Sequence, residues 1–96
     1  MKFDFKFNED KRVAVFAEKK IFKENKPILY VYHHEEDGAW EYLTGDPFEE
    51  KDIMVVSLEE VVIYDSTINE LHNLPIGYYA KRKFVGDKWV RQENKR

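Results

Sequence analysis

The sequence predicts an α+β fold, a mostly antiparallel sheet of about five to seven strands with a helical segment packed on one face. Three observations carry this. Residues 28–34 and 39–43 are rich in β-branched and aromatic side chains and flank Asp37-Gly38, a hairpin signal because glycine accepts the positive φ of the turn. Ser57 with Glu60, and Thr67 with Glu70, have the spacing of capping boxes, which open helices. Lys2-Phe3-Asp4-Phe5-Lys6-Phe7 alternates with the period of a half-buried strand. With 96 residues, no repeat and no Ser/Gly linker, the chain reads as one domain, 1–96, ending in a polar, frayed tail at 91–96.

In chain order, Phe3, Phe5 and Phe7 share one face of the first strand. Residues 13–17 are a second apolar run, which either continues past a polar interruption to Ile21 and Phe22 or gives way to a short helix over 17–24; period does not separate these. Asn25-Lys26-Pro27 breaks the chain. After the hairpin, Gly45-Asp46-Pro47 is a corner and residues 48–52 an acidic loop. Ile53-Met54-Val55-Val56 is wholly apolar, the pattern of a central strand. Leu58, Val61 and Val62 form the buried stripe of the helix opened by Ser57, and Ile68, Leu71 and Leu74 that of the helix opened by Thr67, closed by Pro75 and Gly77. Residues 78–85 and 88–91 are closing strands around Gly86-Asp87.

The net charge of −3 conceals a segregation. Residues 1–34 carry eight basic and five acidic side chains, residues 35–70 carry twelve acids and only Lys51, and residues 71–96 carry seven basic and two acidic groups. An acidic middle between basic ends is either a solvated face or a surface that docks a basic partner. The chain has no cysteine, and its N-terminus has neither an apolar stretch nor a small-residue cleavage site, so the expected setting is the cytoplasm. No apolar run approaches the ~20 residues that span a bilayer.

The residues that could carry chemistry do not assemble into a motif. His33 and His34 are adjacent, so in a strand they point to opposite faces and cannot share a metal ion. Ser57 and Ser66 both read as helix starts, and the four glycines form no phosphate-cradling loop. No enzyme activity, metal or cofactor is expected. Lys81-Arg82-Lys83 among Tyr78, Tyr79, Phe84 and Trp89 has the composition of a single-strand nucleic-acid surface, but the acidic middle would repel a polyanion.

The expected partner is therefore a protein, and by charge a basic one, rather than a nucleic acid or a membrane. A three-residue hairpin loop would gather Tyr30, Tyr32, His34, Trp40 and Tyr42 on one sheet face; one residue of slip exchanges the set. The preferred register makes Glu35, Asp37, Trp40, Glu41 and Tyr42 the docking residues, rings inside an acidic rim. The same rings could instead be core. A small-ligand domain is the alternative, with a shallow pocket between helix and sheet near His34 and Trp40, and a minor enzyme using His33 or His34 is the third class.

The stretch ILYVYHHEEDGAWEYLTGD (residues 28–46), then VVSLEEV, INELHNLPIGYYAKR and Trp89, resembles a group of small bacterial proteins of unknown function, itself similar to a domain family of immunity proteins of polymorphic toxin systems. The resemblance spans about two-thirds of the chain, and its markers are the Asp37-Gly38 turn before Trp40, Gly45, and Leu74-Pro75-Ile76-Gly77. Where that family shows Arg-Glu-x-x-Pro and Asp-Ser-Gly-Trp, this chain has His33-His34-Glu35-Glu36 and Asp37-Gly38-Ala39-Trp40. The resemblance implies the same α+β fold and an inhibitor whose acidic surface meets a basic toxin.

Overall fold

The computed structural model describes residues 4–95. In chain order the elements are β1 (Ala14–Glu18), α1 (Lys19–Lys23), β2 (Tyr30–His33), β3 (Trp40–Leu43), a 3₁₀ turn (Glu50–Asp52), β4 (Ile53–Ser57), α2 (Leu58–Tyr64), a 3₁₀ segment (Ser66–Leu71), β5 (Tyr78–Lys81) and β6 (Val90–Glu93). The strands form one open six-stranded sheet in the order β4-β1-β3-β2-β5-β6. Each neighbouring pair is antiparallel except β1 with β3, which is parallel. This is the α+β architecture the sequence predicts.

Strand alternation decides which side chains meet. Met54, Ala17, Tyr42, Val31 and Ala80 lie side by side across five strands and face the helices. Val15, Val56 and Trp40 extend this face, and Leu58, Val61 and Val62 of α2, with Ile68, Leu71 and Leu74 beyond it, close the core over it. The Ser57 box forms as expected, with the Glu60 amide donating to Ser57 Oγ (3.2 Å). The uncertain stretch after β1 is helical: α1 buries Ile21 in the same core and sets Phe22 against Tyr64.

Several expectations are corrected. Phe3 lies outside the described residues, and residues 4–7 belong to no strand. The Asn69 side chain takes the place of a neighbouring strand: its Oδ1 accepts from the Lys6 amide and its Nδ2 donates to the Asp4 carbonyl, both at 3.0 Å. β4 is an edge strand, not a central one, because only alternate residues of its apolar run face the core; Val55 is 61% exposed. Thr67 does not open its segment. Asp65 caps it, accepting from the Thr67 amide. β5 ends at Lys81, with Arg82 buried just beyond it, and Arg91–Glu93 pair with β5 rather than fraying.

The largest correction is the hairpin register. His33 pairs with Trp40, Tyr32 with Glu41, Val31 with Tyr42 and Tyr30 with Leu43. A four-residue loop, Glu35 to Gly38, closes it, with the His34 amide donating to the Ala39 carbonyl (2.8 Å) and the Gly38 amide to the His34 carbonyl (2.9 Å). An even loop has the parity of the two-residue alternative, so Trp40 and Tyr42 face the core while Tyr30, Tyr32 and Glu41 face away from it.

The exit from β3 is pinned at two places. Glu18 is buried, and its Oε1 accepts from both the Thr44 amide (2.8 Å) and the Thr44 hydroxyl (3.1 Å). Gly45 then adopts φ +94°, where a Cβ would stand 2.8 Å from the Tyr30 ring. Gly45→Ala is expected to cost about 1–3 kcal/mol through this strained backbone, read as a lower denaturant midpoint at unchanged slope. A variant as stable as the parent would mean that the corner yields without strain.

Candidate docking groove

Among the described residues no helix packs on the second face of the sheet. Val55, Phe16, Glu41, Tyr32, Tyr79 and Gln92 run across it, each paired with the next. The rings order themselves there, with Tyr32 stacked on Tyr79 (5.0 Å between centroids) and on His34 (5.8 Å). Tyr79 donates through its hydroxyl to Gln92 Oε1. Burial raises the Tyr32 phenol pKa, reinforced by the neighbouring Tyr79 and Tyr30.

The loop after Gly45 lays Phe48 over this face, 42% exposed, between two hollows. The smaller, about 280 Å³, is lined by Tyr30, Tyr32 and Leu43. The larger, about 440 Å³, has Phe16, Ala39, Phe48 and Ile53 for an apolar floor, and Glu36, Asp37, Glu41 and Glu50 with His34 around it. Among the described residues no lysine or arginine lines it.

Glu41, Asp37 and Glu50 each have a traceable position at the larger hollow. Glu41 is held on its wall by His34, whose Nε2 donates to Oε1 at 2.8 Å. Asp37 projects from the turn while its Oδ1 accepts from the Ala39 amide at 3.0 Å. Glu50 opens the 3₁₀ turn, which is fixed by a box between Glu49 and Asp52. An apolar floor beside the carboxylates of Asp37, Glu41 and Glu50 suits a cationic side chain: the methylene stem of a lysine or arginine lies on the floor and its head reaches the rim.

The residues anticipated from the sequence divide. Asp37 and Glu41 line the larger hollow. Glu35 is exposed in the same loop but leans against Gly77, not into the hollow. Trp40 and Tyr42 are not docking anchors; they are core, at 2% and 0% exposure. Trp40 stacks on His33 (3.9 Å), meets Phe7 edge-on (5.2 Å) and donates from Nε1 to Glu9 (2.8 Å). Full burial pushes the Tyr42 phenol well above its ordinary pKa. The helix–sheet pocket near His34 and Trp40 does not form, because these residues lie on opposite faces and core side chains fill the helical side. His33 is likewise committed, donating from Nδ1 to the Leu74 carbonyl at 2.7 Å.

The basic C-terminal cluster is also divided. Arg82 is buried: it donates from Nε and Nη2 to the Ile28 carbonyl (3.1 and 2.9 Å), from Nη1 to Thr67 Oγ1 (2.8 Å) and from Nη2 to Asp65 Oδ2 (2.7 Å). Its guanidinium also lies 4.1 Å from the centre of the Trp89 ring. Among the described residues there is no group of three or more His, Asp or Glu side chains placed to hold a metal ion, and no helix is long and apolar enough to cross a membrane.

Fold and site together define a small α+β sheet protein whose helix-free face carries an acidic-rimmed apolar hollow. No family model, curated protein or solved structure matches the chain.

Proposed function

We propose that this protein is an interaction module that seats a basic, aliphatic segment of a partner protein in the larger hollow of the helix-free face, in the manner of an immunity-type inhibitor neutralising a basic toxin in the bacterial cytoplasm. One observation carries the reading: Asp37, Glu41 and Glu50 stand around the apolar floor of Phe16, Ala39, Phe48 and Ile53, and among the described residues no lysine or arginine lines the hollow. The toxin-directed form draws support from the immunity-family resemblance of residues 28–46. Complementary charge of this kind speeds encounter and excludes wrong partners more than it adds affinity. A small cationic ligand on the same floor is the alternative.

Two fluorescent peptides test the reading, one alternating Lys or Arg with Leu or Val, the other carrying Glu at the charged positions. The basic peptide is expected to bind saturably, more weakly as salt rises, and to shift the amide resonances of Phe16, Ala39, Phe48 and Ile53. The double change Asp37→Lys with Glu50→Lys should weaken it by about tenfold or more, whereas Glu35→Lys should have a much smaller effect. Equal binding of both peptides, or unchanged binding to the double variant, would sink the proposal.

A further inference from the structure

The turn between β5 and β6 is the chemical complement of the hollow. Phe84 and Val85 stand at its tip, 60% and 50% exposed, and Val90 beside them is 50% exposed. Lys83 and Lys88 flank them in the turn, and Lys81 pairs with Val90. The turn's one acid, Asp87, is occupied locally, with its carboxylate accepting from the Lys83 amide (3.0 Å) and the Lys88 amide (2.9 Å). Large apolar side chains on an exposed tip mark a contact surface when they are grouped, and here they carry a basic collar that fits an acidic rim.

In its own chain the tip lies away from the acidic loop that borders the hollow. β5 runs antiparallel to β2, so Lys81 lies beside Tyr30, at the end of the sheet away from the Glu35–Gly38 loop. In the sheet, β2 and β3 stand between β5 and the strands β1 and β4 that supply Phe16 and Ile53.

We infer that the β5–β6 tip of one molecule docks in the hollow of a second copy of this chain, placing Phe84 and Val85 on the floor of Phe16, Phe48 and Ile53, and Lys83 and Lys88 against Asp37 and Glu50. The inference rests on the hollow being a docking site. Knob and groove are different surfaces, so the contact is heterologous and each assembly keeps one free knob and one free groove. Growth is then head-to-tail. A contact made by two apolar side chains and a few ion pairs buries less than the roughly 1,200 Å² of a stable interface, so it is weak, reversible and sensitive to salt. A basic partner that takes the groove displaces the neighbouring copy.

Sedimentation equilibrium tests this. At low salt the average mass of the wild-type protein should climb with concentration beyond that of a dimer, and added salt should suppress the climb. Phe84→Glu, and separately Val85→Asp, should abolish it by spoiling the knob. Asp37→Lys with Glu50→Lys should abolish it by spoiling the groove. An equimolar mixture of the Phe84→Glu chain and the groove variant retains one intact knob and one intact groove, so it should form a dimer and stop there. A wild-type protein that stays monomeric at millimolar concentration and low salt overturns the inference, and so does a mixture that stays monomeric. If the basic peptide still binds the wild-type hollow in either case, self-association alone has failed; if it does not, the docking reading has failed as well.

Discussion

Replacing Arg82 with methionine should remove about 3–5 kcal/mol of stability, because breaking a buried ion pair leaves the partner charge uncompensated. The partner here is Asp65, whose side chain is 9% exposed, and the substitution also strips both donors from the Ile28 carbonyl and one from Thr67. A domain of this size has a total stability of about 5–15 kcal/mol, so the variant approaches the unfolding threshold. Each kcal/mol corresponds to roughly 4–8 °C in melting temperature, which places the expected drop at about 12 °C or more. The double variant Arg82→Met with Asp65→Leu should lose less than the two single losses combined, since it removes the stranded charge together with its partner. A single variant melting within a few degrees of wild type would show that the guanidinium network contributes little.

Trp40→Ala is the second large effect, expected to cost about 3–5 kcal/mol through the cavity left in the core. The informative part is what should not change. Trp40 faces the helices, opposite the hollow, so the folded fraction of the variant should bind the basic peptide with near wild-type affinity. Denaturant unfolding and peptide titration of the same sample separate the two outcomes. A loss of peptide affinity without a loss of stability would return Trp40 to the binding surface.

Local chemistry made much of this fold legible. Ser57 with Glu60 and the apolar stripe of Leu58, Val61 and Val62 act through neighbours a few residues away and formed as expected, and Asp37-Gly38 marked the hairpin though not the length of its loop. The hairpin register was not legible, because a loop of three residues and one of four satisfy the same turn signal while sending Trp40 to opposite faces. Edge against centre was equally hidden for Ile53 to Val56. An apolar strand looks the same whether a neighbour or water covers its second side, and strand order is set by contacts far away in sequence. Arg82 sat in a run of three basic residues, with no mark to separate the one that turns inward towards Asp65. At the site, Asp37 and Glu41 were found through charge, whereas Phe16 and the 48–53 segment that carries Phe48, Glu50 and Ile53 come from two separate parts of the chain and meet only after folding.

The parallel pairing of β1 with β3 has a consequence for synthesis. Both neighbours of β1 lie downstream of it: Phe16 pairs with Glu41 on one side and with Val55 on the other. As the chain leaves the ribosome, β1 therefore waits with both edges open until β3 and then β4 have been made, whereas β2 and β3 can zip together as a local hairpin. The strand whose Val15 and Ala17 line the centre of the core is translated first among the six and enclosed late. During that interval its open edges and the apolar run around Phe16 are the nascent chain's most exposed template for pairing with another strand.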